Sequence, residues 1–92
     1  MDEEQFLRIA KTVADPARFS ALQKIAGAGE VSCSNLSEHL GLTAATISHH
    51  VKELIASGIV TQRREGKFVI LSLNAPVWRT YLRELERRIP KD

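Results

Sequence analysis

The segment that most restricts the fold is SNLSEHLGLTAATISHHVKELIASG, residues 34–58. SNLSEHL reads as a short helix with Ser34 or Asn35 as its cap, and Gly41 breaks it. Thr43 then caps a longer helix over roughly 44–57, and Gly58 terminates that one. A short helix, a tight glycine-containing turn and a longer helix in series form a helix-turn-helix pattern.

The flanking sequence supplies the rest of a small fold. Phe6, Leu7, Ile9, Ala10 and Val13 recur at helical spacing over residues 3–14. Asp15 can cap a second helix whose first turn holds Pro16, where the missing N–H costs nothing. That helix is expected to reach about Ala26, with Phe19, Leu22, Ile25 and Ala26 inward and Gly27 and Gly29 ending it. EVSC, beginning at Glu30, has the length of a minimal strand. In IVTQRREGKFVILSLN the period changes: Val69, Leu71 and Leu73 alternate with Phe68, Ile70 and Ser72. Glu65–Gly66 reads as the turn of a hairpin between two β-prone runs. After Asn74 and Pro76 a last helix runs to about Ile89. The expectation is therefore one domain over residues 1–92, mainly α (α+β), with five helices and a β-hairpin wing.

Bulk properties narrow the functional classes. A chain of 92 residues buries only part of its surface and often gains stability by oligomerising. With 43% hydrophobic residues, disorder over most of the length is excluded. A net charge of +2 and a pI near 9.0 permit nucleic-acid binding without demanding it. The single cysteine, Cys33, rules out an intramolecular disulfide scaffold and fits a cytoplasmic setting. The acidic start, MDEEQFLRIAK, is unlike a signal peptide, and no apolar run approaches a membrane span. No Ser/His/Asp or Cys/His set, phosphate loop or facing carboxylate pair can be assembled, so an enzyme is not expected and no cofactor is implied.

On the longer helix, at about 100° per residue from Ile47, Val51 and Leu54 fall within about 40° of it and form the core stripe with it. Ala45, Ser48, His49, Lys52 and Ala56 lie opposite. That stripe is small, polar and basic, with no acid. An ordinary solvated face could look the same, but small residues permit close approach to a major groove, and Ser48, His49 and Lys52 can bond to bases and phosphates. The adjacent histidines separate on this wheel. His49 points out. His50 sits about 60° from the core stripe and reads as a packing residue or a backbone hydrogen-bond partner. Neighbours on a helix do not face a common ion as an i,i+4 pair does. His39 is expected at the surface or within the packing of the two helices.

The hairpin carries Arg63, Arg64 and Lys67 near its tip against one acid, Glu65. Basic residues there protect an edge from strand pairing, and they also suit a wing laid along DNA backbone or minor groove. In the last helix Trp78, Leu82, Leu85 and Ile89 form a heptad-like seam, and Phe6, Ala10 and Val13 match it in the first. One small core does not cover two such stripes, so the terminal helices are expected to build a twofold dimer. A dimer would present two recognition helices about one DNA turn apart and bind an inverted repeat.

The chain resembles the ArsR family of bacterial winged-helix regulators through ADPARFSALQKIA (14–26), LSEHLGLTAATISHHVKELIASGIV (36–60) and RREGKFVILSLN (63–74). The resemblance spans about residues 5–88. It implies a homodimeric transcriptional regulator, usually a repressor, with a double-stranded operator as partner. It also places Thr46, Ser48, His49 and Lys52 among the recognition-helix contacts, with the wing arginines supporting. The DNA-facing set is then Thr43, Ala45, Thr46, Ser48, His49, Lys52, Arg63, Arg64 and Lys67.

Departures from the family matter as much. Many members sense metals through a cysteine pair in a stretch like ELCVCDL. Here EVSCSNL places Ser32 and Ser34 at those positions, and serine is a poor ligand for soft metals. Other members use histidine and carboxylate pairs on the last helix. This last helix has no histidine, and Glu84 and Glu86 diverge. Ala44 stands where the family often has a polar residue such as glutamine. No metal site is expected, and the inducing signal is not readable. Two rival readings are a winged-helix protein-interaction module without DNA binding and a redox-responsive repressor using Cys33. The neighbours of Cys33 are mostly uncharged, which favours a half-buried structural thiol.

Overall fold

Each helix starts on a side chain that accepts a hydrogen bond from a backbone N–H three residues on, satisfying a donor the helix itself leaves unpaired. The computed structural model describes residues 1–91. Its helices are α1 (Glu3–Val13), α2 (Pro16–Ala28), α3 (Cys33–Leu40), α4 (Ala44–Ser57) and α5 (Ala75–Arg88). Their caps are Asp2, Asp15, Ser32, Thr43 and Asn74. The α3 cap corrects the expected Ser34 or Asn35. Strand β1 (Glu30–Ser32) ends where α3 begins, so Ser32 closes one element and opens the next, its Oγ accepting from the Asn35 N–H at 3.1 Å.

Two other expectations shift. Helix α2 passes through Gly27 and ends at Gly29, whose φ of +79° a side chain would resist. Its inward residues are Ala21, Leu22 and Ile25, while Phe19 and Ala26 are exposed. Phe19 is six positions from Ile25 and Ala26 one, so both are carried well off the buried line. Strands β2 (Val60–Glu65) and β3 (Phe68–Leu73) pair antiparallel with Glu65 opposite Phe68. The two-residue turn is therefore Gly66–Lys67, not Glu65–Gly66, and Gly66 supplies the left-handed φ of +62° at its first position.

The sheet is antiparallel in the order β1-β3-β2, with Val31 opposite Leu71 and Gln62 opposite Leu71 on the other side. Its inner face and all five helices meet in one core. Ile9, Ile25, Leu36, Leu54, Ile59 and Leu71 have no exposed surface. Burying a side chain of this kind contributes about 1.5–3 kcal/mol. Helix α5 joins through Tyr81, whose ring lies 5.4 Å from that of Phe6 and 5.5 Å from that of Trp78. Gly58 makes the exit from α4. Its φ is +92°, and a Cβ there would lie 2.9 Å from Gln5 Nε2, which itself donates to the Ser57 carbonyl at 3.4 Å. Glycine at 58 thus lets α1 pack against the end of α4. No helix among the described residues is long and apolar enough to cross a membrane.

Candidate nucleic-acid interface

The turn between α3 and α4 is held by three local bonds. Gly41 adopts φ +65° and its N–H donates to the Glu38 carbonyl at 3.3 Å. The Leu42 N–H donates to the Ser37 carbonyl at 3.1 Å, and the Ser37 hydroxyl donates back to the Leu42 carbonyl. Thr43 then starts α4: its Oγ1 accepts from the Thr46 N–H at 3.2 Å and donates to the Thr46 hydroxyl at 2.9 Å. Both threonines are exposed but engaged with each other.

Beneath the turn, Leu36, Ile47, Val51 and Leu54 are buried and set the rotation of α4 about its axis. Ala45, Ser48, His49, Lys52 and Ala56 are consequently exposed, as their wheel positions require. Among the described residues, Ser48, His49 and Lys52 make no side-chain hydrogen bond or ion pair within the protein. Their donors and acceptors are open to an incoming partner.

His49 and His50 diverge, with ring centroids 5.8 Å apart and planes tilted by 57°. His50 is half-buried as a packing residue, but its enclosed Nδ1 has no hydrogen-bond partner, which removes the backbone-partner reading for that nitrogen. At the α2 cap nearby, the Asp15 carboxyl is held low chiefly by the Arg18 N–H, with the Arg18 guanidinium and the His50 ring adding smaller effects. His39 is exposed.

The wing is less basic toward a partner than its sequence implies. Strand alternation puts Gln62 and Arg64 on one face and Arg63 and Glu65 on the other. Arg63 is bound by Glu30 of β1 and by Glu65, so its charge is locally neutralised. Arg63, expected among the supporting wing contacts, is thus already engaged within the protein. Arg64 and Lys67 remain without acidic partners among the described residues, Lys67 Nζ lying 5.5 Å from the Phe68 ring centroid. The pairing of Arg63 crosses from β2 to β1 and spans 33 residues, which local charge counting could not reveal.

The terminal helices divide differently from the expected seam. Phe6 is buried in the protomer's own core, against Tyr81 and beneath the Arg88 guanidinium 4.4 Å from its ring, and so leaves the proposed interface set. Ala10, Val13 and Trp78 are half-buried. Leu82, Leu85 and Ile89 are 45%, 37% and 72% exposed, and Leu7, outside the expected seam, is 54% exposed. These apolar side chains are only partly covered within the protomer.

Ser32 and Ser34 put their hydroxyl oxygens 3.2 Å apart at the start of α3. Glu84 turns toward Arg87 and Arg88, and its carboxyl is held low chiefly by the Arg87 hydrogen bond. Cys33 is half-buried, and that burial raises its thiol above the ordinary value. Among the described residues no group of three His, Cys, Asp or Glu side chains is placed to hold a metal ion.

A helix-turn-helix whose second helix exposes an acid-free polar face, flanked by a hairpin, defines the winged helix-turn-helix class of DNA-binding domains. A helix-turn-helix domain family model matches residues 13–63. The transcriptional repressor SdpR of Bacillus subtilis is 30% identical over 69 residues, covering 75% of this chain and 76% of that protein. The arsenical resistance operon repressor of Staphylococcus xylosus is 32% identical over 74 residues, covering 80% of this chain and 70% of that one. The homodimeric winged helix-turn-helix domain of a possible ArsR-family regulator from Mycobacterium bovis shares the fold at a TM-score of 0.77 and 24% identity, over 97% of this chain and 83% of its own. The chain belongs to the ArsR family of transcriptional regulators.

Proposed function

We propose that this protein is a homodimeric repressor that binds an inverted-repeat operator through α4 and works without a metal-sensing site. The observation that carries the reading is the face of Ala45, Ser48, His49 and Lys52, exposed and unengaged opposite a fully buried stripe. Ser48 and His49 read bases, Lys52 holds a phosphate, and Thr43 and Thr46 flank the entry of the helix. Arg64 and Lys67 bring the wing to the neighbouring backbone.

Dimerisation is supported by the exposed Leu7, Leu82, Leu85 and Ile89, and by the homodimer reported for the Mycobacterium bovis domain. Repression is supported by the names of the Bacillus and Staphylococcus relatives. The reading without metal is supported by the two hydroxyls at Ser32 and Ser34, which bind soft metals poorly.

A mobility-shift titration on the promoter of its own gene, repeated at several salt concentrations, tests the reading. Three phosphate-seeking cations per protomer make about six contacts in a dimer, so log affinity against log salt should fall with a slope of about −5. Lys52→Glu should weaken binding to every sequence. Ser48→Ala and His49→Ala should relax discrimination between operator and unrelated DNA. Zinc and arsenite should leave affinity unchanged. Intact discrimination in both alanine variants would refute the recognition face, and release of DNA by micromolar metal would refute the metal-free reading.

A further inference from the structure

A cleft of about 490 Å³ opens between α3, α4 and the wing, within the size range of small-molecule sites. Its floor is aliphatic: Ile47, Val51 and Ile55 from α4 meet Val69 from β3, with Ile55 and Val69 only half-buried within the protein. Polar groups stand at the rim, and Lys52 is the one charged residue lining it. No carboxylate from the described residues pairs with that ammonium. Cys33 lines the same cleft. An extended polyanion such as DNA backbone has no use for an aliphatic floor, and a neutral oil would leave the ammonium unanswered.

We propose that this cleft is an effector site for a monoanionic amphiphile, an aliphatic or aromatic carboxylate of about a dozen non-hydrogen atoms. The apolar body covers Ile47, Val51, Ile55 and Val69, and the carboxylate pairs with Lys52. Because Lys52 and Ser48 belong both to the cleft wall and to the DNA-facing side of α4, an occupied cleft withdraws them from DNA. The ligand therefore acts as a direct competitor of the operator. This inference rests on the DNA-binding reading above.

Cys33 is the chain's one cysteine, so its alkylation rate reports occupancy at this place alone. The full-length protein is treated with iodoacetamide in decanoate, in 1-decanol and in neither, and promoter binding is measured in parallel. Decanoate at roughly 1 mM should slow alkylation several-fold and weaken DNA binding by a similar factor; decanol, lacking the charge that pairs with an exposed lysine, should protect about three-fold less. Val69→Trp and Ile55→Phe each fill the cleft from a different wall. Whichever keeps the native circular dichroism should bind DNA as before and lose the response to decanoate. No protection of Cys33, or protection that survives both filling variants, overturns the proposal. Absence of promoter binding before any decanoate is added refutes the DNA-binding reading instead, and the Cys33 result then stands separately. A second protein copy occupying the cleft would show as protection that rises with protein concentration without decanoate, and would also overturn it.

Discussion

Replacing Gly58 with alanine tests the junction between the recognition helix and the wing. The backbone at 58 has φ +92° and ψ −5°, a left-handed conformation that costs an L side chain about 1–2 kcal/mol. The new Cβ would also lie 2.9 Å from Gln5 Nε2, closer than van der Waals contact allows. The glutamine end is flexible and can withdraw, but withdrawal forfeits its bond to the Ser57 carbonyl, worth about 0.5–1 kcal/mol. Alanine also restricts the unfolded chain, which offsets about 0.5 kcal/mol of this. The net expectation is a loss of about 2 kcal/mol, or roughly 8–16 °C in Tm for a chain of this size. Urea unfolding of wild type, Gly58→Ala, Gln5→Ala and the double variant would separate the two contributions. The double variant should recover about 0.5 kcal/mol relative to additivity, because without Gln5 the Cβ meets no amide. Gly58→Asn should cost less strain than alanine, since asparagine visits the left-handed region more readily. A Gly58→Ala loss below about 0.5 kcal/mol would refute the argument that this glycine is required by its conformation.

Leu82→Glu with Leu85→Glu should convert the protein to monomer at micromolar concentration in equilibrium sedimentation while leaving its circular dichroism unchanged; a persistent dimer would place the interface elsewhere. Asp15 has a carboxyl held below its ordinary value, so its contribution is fully present above the unfolded carboxylate pKa and is lost as pH falls through the lower folded value. Asp15→Asn keeps a capping acceptor without the titration and should flatten the acid limb of a stability–pH curve; an unchanged limb would mean that other carboxylates dominate it. Ser32→Cys with Ser34→Cys should create thiol-dependent binding of cadmium or arsenite, because the two side chains already converge to 3.2 Å, and should destabilise α3 modestly because Ser32 is its cap. Failure of the double variant to bind either metal, in a folded protein, would show that the resemblance at this stretch does not extend to geometry.

The features legible in the sequence were those with local causes. Thr43 and Gly58 bounded α4 correctly because a cap and a left-handed stop act within a few residues of themselves. The rotation of α4 followed from Ile47, Val51 and Leu54, since a helical period turns three buried positions into a whole exposed face. Part of what failed depended on distant partners. Phe6 belonged to the spacing of an exposed stripe but is claimed by Tyr81, 75 positions later, whose own side chain fell outside the leucine seam. Phe19 fits the helical spacing of Leu22 and Ala26, yet the small Ala21 holds the buried position. The Ser32 cap was missed because a three-residue strand and a helix share a boundary, and no loop residues announce it.

The same division governs charge. Hairpin composition sets Arg63, Arg64 and Lys67 against one acid, Glu65, yet Arg63 also answers Glu30 on β1, a neighbour created only when β3 comes to lie between β1 and β2. On α5, Arg87 and Arg88 are likewise turned to Glu84. Exposed pairs like these add little stability each. Their effect is to subtract cations from the field a partner meets. The exposed face of α4 is not diluted in that way, because neither His49 nor Lys52 is paired with a carboxylate among the described residues, Glu53 of the same helix included. On the proposed reading, affinity for DNA depends on where Lys52, Arg64 and Lys67 are placed and only weakly on the excess of two positive charges over the whole chain.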